Sequence, residues 1–224
     1  MRKYSRALVG LALAAGLLGS AMAQDAAERK RLAGAVQEVM RHPEARQAAI
    51  RAGRERTLLC SKCHGETGNS VSPEIPNLAG QNPAYLLQQI EKFADGRRKN
   101  FVMRSLARSF TFEDKVNLAI YFSSMEVEPR QADPVLADKG KQTFQSVCQT
   151  CHGTDGKGEK GYARLAGQRI EYVERTLKRF RANARKGTED GAEMTRHDIR
   201  MEQVTKNLSD QEITALANYI ALLK

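Results

Sequence analysis

The sequence predicts an all-α protein made of two copies of one helical unit. Within its 224 residues, L-A-G-Q at 78–81 recurs at 165–168, and L-A-I-Y-F at 118–122 corresponds to L-A-N-Y-I at 216–220. A repeat of this length indicates two similar structural units in tandem. Apolar residues in the corresponding segments recur at helical spacing, and no segment shows a convincing strand alternation. We therefore expect helices in the same order in each copy.

The helices of each copy follow from apolar spacing and from cap residues. They are predicted at residues 46–59, at 83–94 and after Thr111 in the first copy, and at 136–147, at 170–183 and after Ser209 in the second. Thr111 and Ser209 each begin a capping box, T-F-E-D and S-D-Q-E, which is a helix start signal. A glycine-bearing loop joins the first helix of each copy to the middle one. Each copy is therefore expected to contain at least three helices.

The repeat also sets the domain limits. We predict a signal peptide at 1–23, an N-terminal extension at 24–51, domains at 52–127 and 135–224, and a linker at 128–134. The linker contains two prolines and lacks apolar periodicity. The correspondence between the copies shifts from 87 to 98 residues, and the difference lies in the polar segment 186–199. This segment is predicted to be an inserted loop in the second domain.

The extension lies outside the repeat and leaves two alternatives open. Residues 27–40 have the spacing of a basic amphipathic helix, with Leu32, Val36 and Met40 on one side. Pro43 would end this helix. The alternative is a loosely packed tail.

The first 23 residues have the layout of a secretory signal peptide. Three cations among the first six residues precede an apolar run at 7–18, and A-M-A at 21–23 fits a cleavage site between Ala23 and Gln24. An uncleaved membrane anchor is the alternative, but this apolar run is short for a span of about 20 residues. No later stretch is apolar over such a length. The sequence therefore predicts an exported protein, located in the periplasm of a bacterium.

The residues with a specific chemical function lie in two pentapeptides. C-S-K-C-H at 60–64 and C-Q-T-C-H at 148–152 both read C-x-x-C-H, the attachment signature of c-type haem. The two thiols form thioethers with the porphyrin, and the adjacent histidine binds the iron. Zinc knuckles or disulfides would not explain why a histidine follows both cysteine pairs at the same offset.

The motifs therefore predict two covalently attached haem c groups, each with its iron, and they use all four cysteines of the chain. The predicted residues are Cys60 and Cys63 for attachment of the first haem with His64 as proximal ligand, and Cys148, Cys151 and His152 for the second.

A methionine is predicted as the sixth ligand of each iron. Met103 lies eight residues before the cap Thr111, and Met201 lies eight residues before the cap Ser209. A thioether ligand closes the iron and raises its potential. A methionine at helical spacing is otherwise common as core filler, and this remains the alternative. The equivalence of the two positions favours ligation.

Other candidate ligands lack the equivalence that Met103 and Met201 show. Met125 falls late in the last helix of the first copy, and His42 lies outside both repeats. Met194 and His197 lie in the inserted loop near Met201. His197 would give the second haem two histidine ligands and a lower potential.

With its paired C-x-x-C-H motifs, its L-A-G-Q elements and its paired methionine-to-cap spacings, the chain resembles the di-haem cytochrome c4 family over residues 52–224. This resemblance implies two class I cytochrome c domains in tandem, each wrapped around one covalently bound haem with His/Met ligation. It also implies that the domains face each other across a pseudo-twofold axis, with the haem propionates near the interface.

In class I cytochromes a proline carbonyl accepts a hydrogen bond from the proximal histidine, which fixes the ring. Pro76 matches that proline, whereas the second copy has Ala163 at the equivalent place. We therefore expect the two haems to differ in potential.

The resemblance implies a periplasmic electron carrier that performs no bond chemistry and has no catalytic residue. Its redox partners would be a quinol-oxidising complex or dehydrogenase as donor and a terminal oxidase or reductase as acceptor. The alternative is a haem subunit of an oxidoreductase complex such as flavocytochrome c sulfide dehydrogenase. A di-haem peroxidase or thiosulfate dehydrogenase is a third hypothesis, and it would need an open or displaceable iron ligand.

The charge of the chain bears on its partners. Removal of residues 1–23 takes away three cations and no acids, which lowers the net charge from +10 to +7. In an exported redox protein such a balance argues against nucleic acid and favours docking to an acidic redox partner. No transmembrane span is expected after cleavage, although peripheral membrane association is compatible with the sequence.

Overall fold

The computed structural model describes residues 26–158, 161–186 and 196–224, and these ranges contain helices and no strand. An isolated antiparallel bridge joins Arg98 to Arg196. The prediction of an all-α fold is confirmed. None of the helices in these ranges has both the length and the apolar character needed to cross a bilayer. The predicted signal peptide lies outside the described residues.

The first half of the chain is a series of helices joined by short turns and one longer loop. The helices are α1 (26–41), α2 (Pro43–Glu55), α3 (Leu58–His64), α4 (Pro83–Ala94), α5 (Phe101–Ser109) and α6 (Phe112–Ser123). The prediction of a single helix over 46–59 is wrong in one respect, because two separate helices, α2 and α3, form this part of the chain. At the break, the Thr57 hydroxyl donates to the Arg54 carbonyl (2.7 Å), which satisfies one of the carbonyls freed at the end of α2.

The second half repeats this order. Its elements are α7 (Pro134–Thr143), a π-helical turn (Phe144–Cys148), α8 (Gln149–His152), α9 (Ile170–Lys186), α10 (Ile199–Thr205) and α11 (Asp210–Leu222). The helix α7 begins two residues before the predicted start, because the Asp133 side chain accepts hydrogen bonds from two backbone N–H groups of its first turn. The π-helical turn leads directly into the second C-x-x-C-H motif, and such turns are frequent at functional sites.

The predicted capping boxes are confirmed. Thr111 and Asp114 cap α6 reciprocally, and Ser209 and Glu212 cap α11 in the same way. The short helices α5 and α10 were not predicted from the sequence. They occupy equivalent places between the middle and last helix of each half.

In each half the first helix of the repeated unit crosses the last helix at a glycine. A Cβ atom at Gly53 would overlap the backbone carbonyl of Asn117, and one at Gly140 would overlap that of Ala215. These two pairs of residues correspond under the repeat. The helix α2 therefore crosses α6, and α7 crosses α11, with their backbones in direct contact.

The extension forms a helix that completes the first core. In α1, Leu32 is fully buried and Val36 nearly so, and Met40 packs beside them against residues of α4 and α6. The hypothesis of an amphipathic helix is therefore confirmed, and the chain bends at His42 before Pro43 begins α2. The second half has its own cluster around the buried Phe144.

The helix α1 also contacts the second half. The guanidinium of Arg29 lies 5.5 Å from the ring centroid of Tyr162, and that of Arg200 lies 5.6 Å from the same ring. At the same end of α1, Glu28 accepts two hydrogen bonds from Arg97 of the first half. The extension therefore contacts side chains of both halves.

Replacement of Gly140 by alanine is expected to lower the free energy of unfolding by about 1–3 kcal/mol, because the added Cβ would push α7 away from α11. Denaturant unfolding of the haem-loaded protein measures this change. Gly34 in α1 is the matched control, since no atom lies within 4 Å of an added Cβ there. Its replacement by alanine is expected to raise stability by up to about 1 kcal/mol. A similar loss in both variants would contradict the close crossing.

Candidate haem-binding sites

The residues of the first C-x-x-C-H motif lie on one short helix. Cys60, Cys63 and His64 belong to α3, with the two cysteines three residues apart and hence on neighbouring turns. In the second motif, Cys148 ends the π-helical turn, and Cys151 and His152 belong to α8. No disulfide joins any two of the four cysteines. Each pair can therefore react with one edge of one porphyrin.

Both predicted proximal histidines are oriented by a backbone carbonyl. The Nδ1 atom of His64 lies 2.9 Å from the oxygen of Pro76, and that of His152 lies 2.8 Å from the oxygen of Ala163. The contact expected for Pro76 is therefore present, and Ala163 supplies an equivalent carbonyl. Because a carbonyl only accepts, Nδ1 carries the proton in both rings and Nε2 keeps its lone pair.

The burial of both histidines also suits binding of iron. Each histidine residue is 8 % exposed, and burial lowers the pKa of both imidazoles below the ordinary value. The neutral form is therefore favoured, which is the form that binds a metal. Orientation, tautomer and charge all suit binding of iron through Nε2.

The surface beside the motifs fits a haem. Next to Cys60, Leu58 and Leu59 are 74 % and 62 % exposed, and next to Met103, Phe101 and Val102 are 77 % and 58 % exposed. Such apolar exposure is unusual for a soluble surface and suits contact with a porphyrin face. In contrast, the described residues contain no cluster of three or more His, Cys, Asp or Glu that would hold a bare metal ion. The donor set therefore fits haem c better than zinc.

The two candidate methionines occupy the same place in α5 and α10. Each is the third residue of its helix, where its backbone N–H donates to the side chain of the N-cap residue, Asn100 or Asp198. Met103 is half-buried, and Met201 packs against the second hydrophobic cluster. The equivalence seen in the sequence therefore extends to the helices that present these side chains.

The alternative ligands lie in other surroundings. Met125 packs against the first hydrophobic cluster, close to Gly68. His42 is exposed and lies 3.7 Å from a carboxylate oxygen of Glu38. Met194 lies outside the described residues.

His197 is held by its neighbours. Its Nδ1 atom is 3.2 Å from Glu202 Oε1 and 3.2 Å from the side-chain nitrogen of Asn183. Both contacts lie within the second half, so the imidazole is part of the packing between α9 and α10.

A cluster of tyrosines and arginines lies where the two halves meet. The Tyr172 hydroxyl accepts from Arg98 Nη2 (3.2 Å) and from Arg196 Nη1 (3.1 Å), and Arg196 also donates to the Tyr85 hydroxyl. All four side chains are half-buried. Burial raises the pKa of Tyr85, whereas at Tyr172 the two guanidiniums outweigh burial and lower it.

Both arginines act on the histidines as well. The charge of Arg98 contributes to the lowered pKa of His64, and that of Arg196 contributes to the lowered pKa of His152, in each case after the larger effect of burial. The positive charge of one arginine therefore disfavours protonation of the predicted proximal histidine in each half. Sequence analysis did not single out these arginines. The signal was available, because Arg98 and Arg196 correspond at a shift of 98, just as Tyr85 and Tyr172 correspond at 87.

The L-A-G-Q elements join the two halves. The side-chain amide of Gln81 bonds the backbone N–H and C=O of Arg164, and that of Gln168 bonds the backbone N–H and C=O of Asn77. Asn77 and Arg164 correspond under the repeat. The interface therefore has pseudo-twofold symmetry at this point, as the resemblance implied.

Comparison with known proteins agrees with this geometry. The family model described as cytochrome c matches residues 137–224. Cytochrome c4 of Pseudomonas aeruginosa is 34 % identical over 179 residues, which cover 75 % of this chain and 86 % of that protein. The chain belongs to the cytochrome c4 family.

A solved structure and a further relative extend this result. The crystal structure of reduced recombinant cytochrome c4 from Pseudomonas stutzeri matches with a TM-score of 0.68 and 33 % identity, covering 78 % of this chain and 98 % of that one. A thiosulfate dehydrogenase electron acceptor of Thiomonas intermedia is 27 % identical over 175 residues, covering 72 % of this chain and 77 % of that protein. The protein is thus a di-haem c-type cytochrome of electron transfer, and it carries covalently attached haem c.

Proposed function

We propose that this cytochrome c4 is an exported periplasmic carrier that accepts and delivers single electrons. When bound, haem supplies the one-electron redox couple, and the protein supplies attachment, orientation and electrostatics. The observation that supports this most directly is the pair of equivalent sites, each with a cysteine pair outside any disulfide and a histidine held by a backbone carbonyl. Two similar sites in one chain suit electron exchange between haems rather than a single catalytic centre.

The proposed ligands follow the repeat. Cys60 and Cys63 hold the first haem with His64 and Met103 as axial ligands, and Cys148, Cys151, His152 and Met201 have the same roles in the second. A six-coordinate iron favours electron transfer over binding of substrate. The proposed domains are residues 52–127 and 135–224, joined by the linker 128–134.

The arginines at the interface suit the propionates of the haems. Among the described residues, Arg98 and Arg196 make hydrogen bonds to phenol and amide oxygens and to no carboxylate. Half-buried cations are stabilised by anionic partners, and each haem brings two carboxylates. We infer that these arginines neutralise the propionates near the contact between the halves.

Location and partners complete the proposal. The signal-peptide pattern of residues 1–23 supports a periplasmic location, and the basic balance of the rest favours an acidic redox partner. A quinol-oxidising complex or a dehydrogenase would be the donor, and a terminal oxidase or reductase the acceptor. The similarity to an electron acceptor of thiosulfate dehydrogenase supports a dehydrogenase as donor.

Replacement of Met103 by alanine is expected to abolish the methionine-to-iron near-infrared band of one haem and to convert that haem to a high-spin form, because its sixth ligand is lost. Optical and EPR spectra of the oxidised protein, quantified against haem content, measure both changes. Met125→Leu is the matched control, since this methionine packs in the core, and it should keep both bands. An unchanged spectrum in Met103→Ala would contradict the assignment.

Replacement of Arg98 by methionine is expected to lower the potential of the first haem, because a nearby cation disfavours the oxidised iron. The expected effect is about 1–2 kcal/mol, the size of a unit-charge interaction at ~10 Å with an effective dielectric constant of ~20. Spectroelectrochemical titration measures it. Arg108→Met removes an exposed cation of the same half and should shift the potential much less, because solvent and salt screen it.

Export is expected to produce a mature chain that begins at Gln24 and contains two haems. Intact-mass analysis of the protein from a periplasmic extract tests this outcome. The variant Ala23→Arg should retain the precursor, because cleavage requires small residues at this site. Recovery of unprocessed wild-type protein from the membrane fraction would instead support an anchor.

A further inference from the structure

One peptide unit connects His64 to a glutamine of the other half. The carbonyl of the Pro76–Asn77 peptide accepts from His64 Nδ1 (2.9 Å). The N–H of the same peptide, on Asn77, donates to Gln168 Oε1 (2.8 Å). Gln168 belongs to the second half of the molecule, so a continuous hydrogen-bonded path runs from the imidazole across the interface.

The second half has the same arrangement in the opposite direction. The carbonyl of the Ala163–Arg164 peptide accepts from His152 Nδ1 (2.8 Å), and the N–H of Arg164 donates to Gln81 Oε1 (2.6 Å). Gln81 belongs to the first half. Each histidine is therefore connected to a glutamine of the opposite half.

The two glutamine amides are held firmly in these positions. Gln168 Nε2 donates to the Asn77 carbonyl (3.1 Å), and Gln81 Nε2 donates to the Arg164 carbonyl (2.8 Å). Because only the NH₂ group can donate to a carbonyl, these contacts also fix which side-chain atom is the oxygen. Gln81 is 6 % exposed and Gln168 is 7 % exposed, so water does not compete for the bonds.

Hydrogen bonds through one amide strengthen each other. When the N–H of a peptide donates, its carbonyl becomes more negative and accepts more strongly. A stronger acceptor at Nδ1 makes an iron-bound imidazole more electron-donating, which stabilises the oxidised iron. The glutamine thus acts on the iron through the peptide and the histidine, without touching either the iron or the ring.

We propose that Gln168 and Gln81 are positioning residues that each act on the haem of the opposite half. Gln168 lowers the reduction potential of the first haem, and Gln81 lowers that of the second. The contact between the domains therefore has a direct effect on the redox properties of both. This inference rests on the proposed ligation by His64 and His152.

The experiment compares Gln168→Leu and Gln81→Leu in the di-haem protein. NMR-monitored redox titration follows each haem separately, with its signals assigned from contacts to residues of its own half. Gln168→Leu is expected to favour reduction of the first haem by about threefold, which is about 28 mV at 59 mV per tenfold change, and to leave the second unchanged. Gln81→Leu should do the reverse. A shift of the haem in the same half as the substitution, or equal shifts of both haems, would overturn the proposal.

Two further variants separate this coupling from a looser interface. Gln168→Glu keeps an oxygen that accepts from Asn77 N–H, so it should not raise the potential of the first haem. Arg175→Gln removes hydrogen bonds to Glu74 across the interface but leaves both peptide units intact. At high salt, where long-range charge effects are screened, Arg175→Gln should leave both reduction potentials unchanged. Selective shifts in Arg175→Gln equal to those in Gln168→Leu would assign the effect to domain packing instead.

The Nδ1–H proton signals of the two histidines provide a second readout in the reduced state. In Gln168→Leu the His64 proton should move upfield, because its hydrogen bond weakens, and the His152 proton should stay in place. If the wild type has low-spin haems ligated by both histidines but neither leucine variant changes a potential, the proposed function stands and the coupling is refuted. If the wild type lacks histidine ligation, both are refuted.

Discussion

The hydrogen bond from each histidine to a backbone carbonyl is the interaction on which the rest of the molecule depends. It places the proton on Nδ1 and leaves Nε2 of His64 and His152 available for iron. The carbonyls belong to the residues immediately before Asn77 and Arg164, whose backbones bond the glutamines of the opposite half. Orientation of the proposed iron ligands and docking of the halves are therefore performed by the same two peptides.

A second constraint comes from size. Each repeat is under 100 residues and has only a small apolar core. The direct crossing of helices at Gly53 and Gly140 brings the first and last helices as close as backbones allow. The first half gains further apolar burial from Leu32 and Val36 of α1, whereas the second half has no such addition among the described residues. The exposed side chains beside the motifs indicate where a haem would supply the remaining contacts.

The electrostatics of the interface favour a charged cofactor. Arg98 and Arg196 lie together, share the Tyr172 hydroxyl and act on the histidines of their own halves. Two like charges in a partly buried position repel each other, so this arrangement suits a site where anionic groups bind between them. The same cluster lets the electrostatics of one half influence the other, in addition to the crossed glutamines.

Features that are local or periodic could be predicted from the amino-acid sequence. The C-x-x-C-H motifs, the capping boxes at Thr111 and Ser209, the duplicated order of helices and the paired positions of Met103 and Met201 were all readable from it. These features depend on neighbouring residues or on helical spacing, which a sequence displays directly.

The three-dimensional structure was needed to show how the repeated elements contact each other. It showed that Gln81 and Gln168 reach the opposite half, that Arg98 and Arg196 meet, and that α1 packs into the first core. It also showed two helices, α2 and α3, where a single helix was predicted over 46–59. The hydrogen bond between Arg98 and Tyr172 joins residues 74 positions apart, and that between Arg196 and Tyr85 joins residues 111 positions apart. Such contacts depend on how two separate units are placed against one another. No local pattern or period encodes that placement, because each unit would show the same pattern if the two never touched.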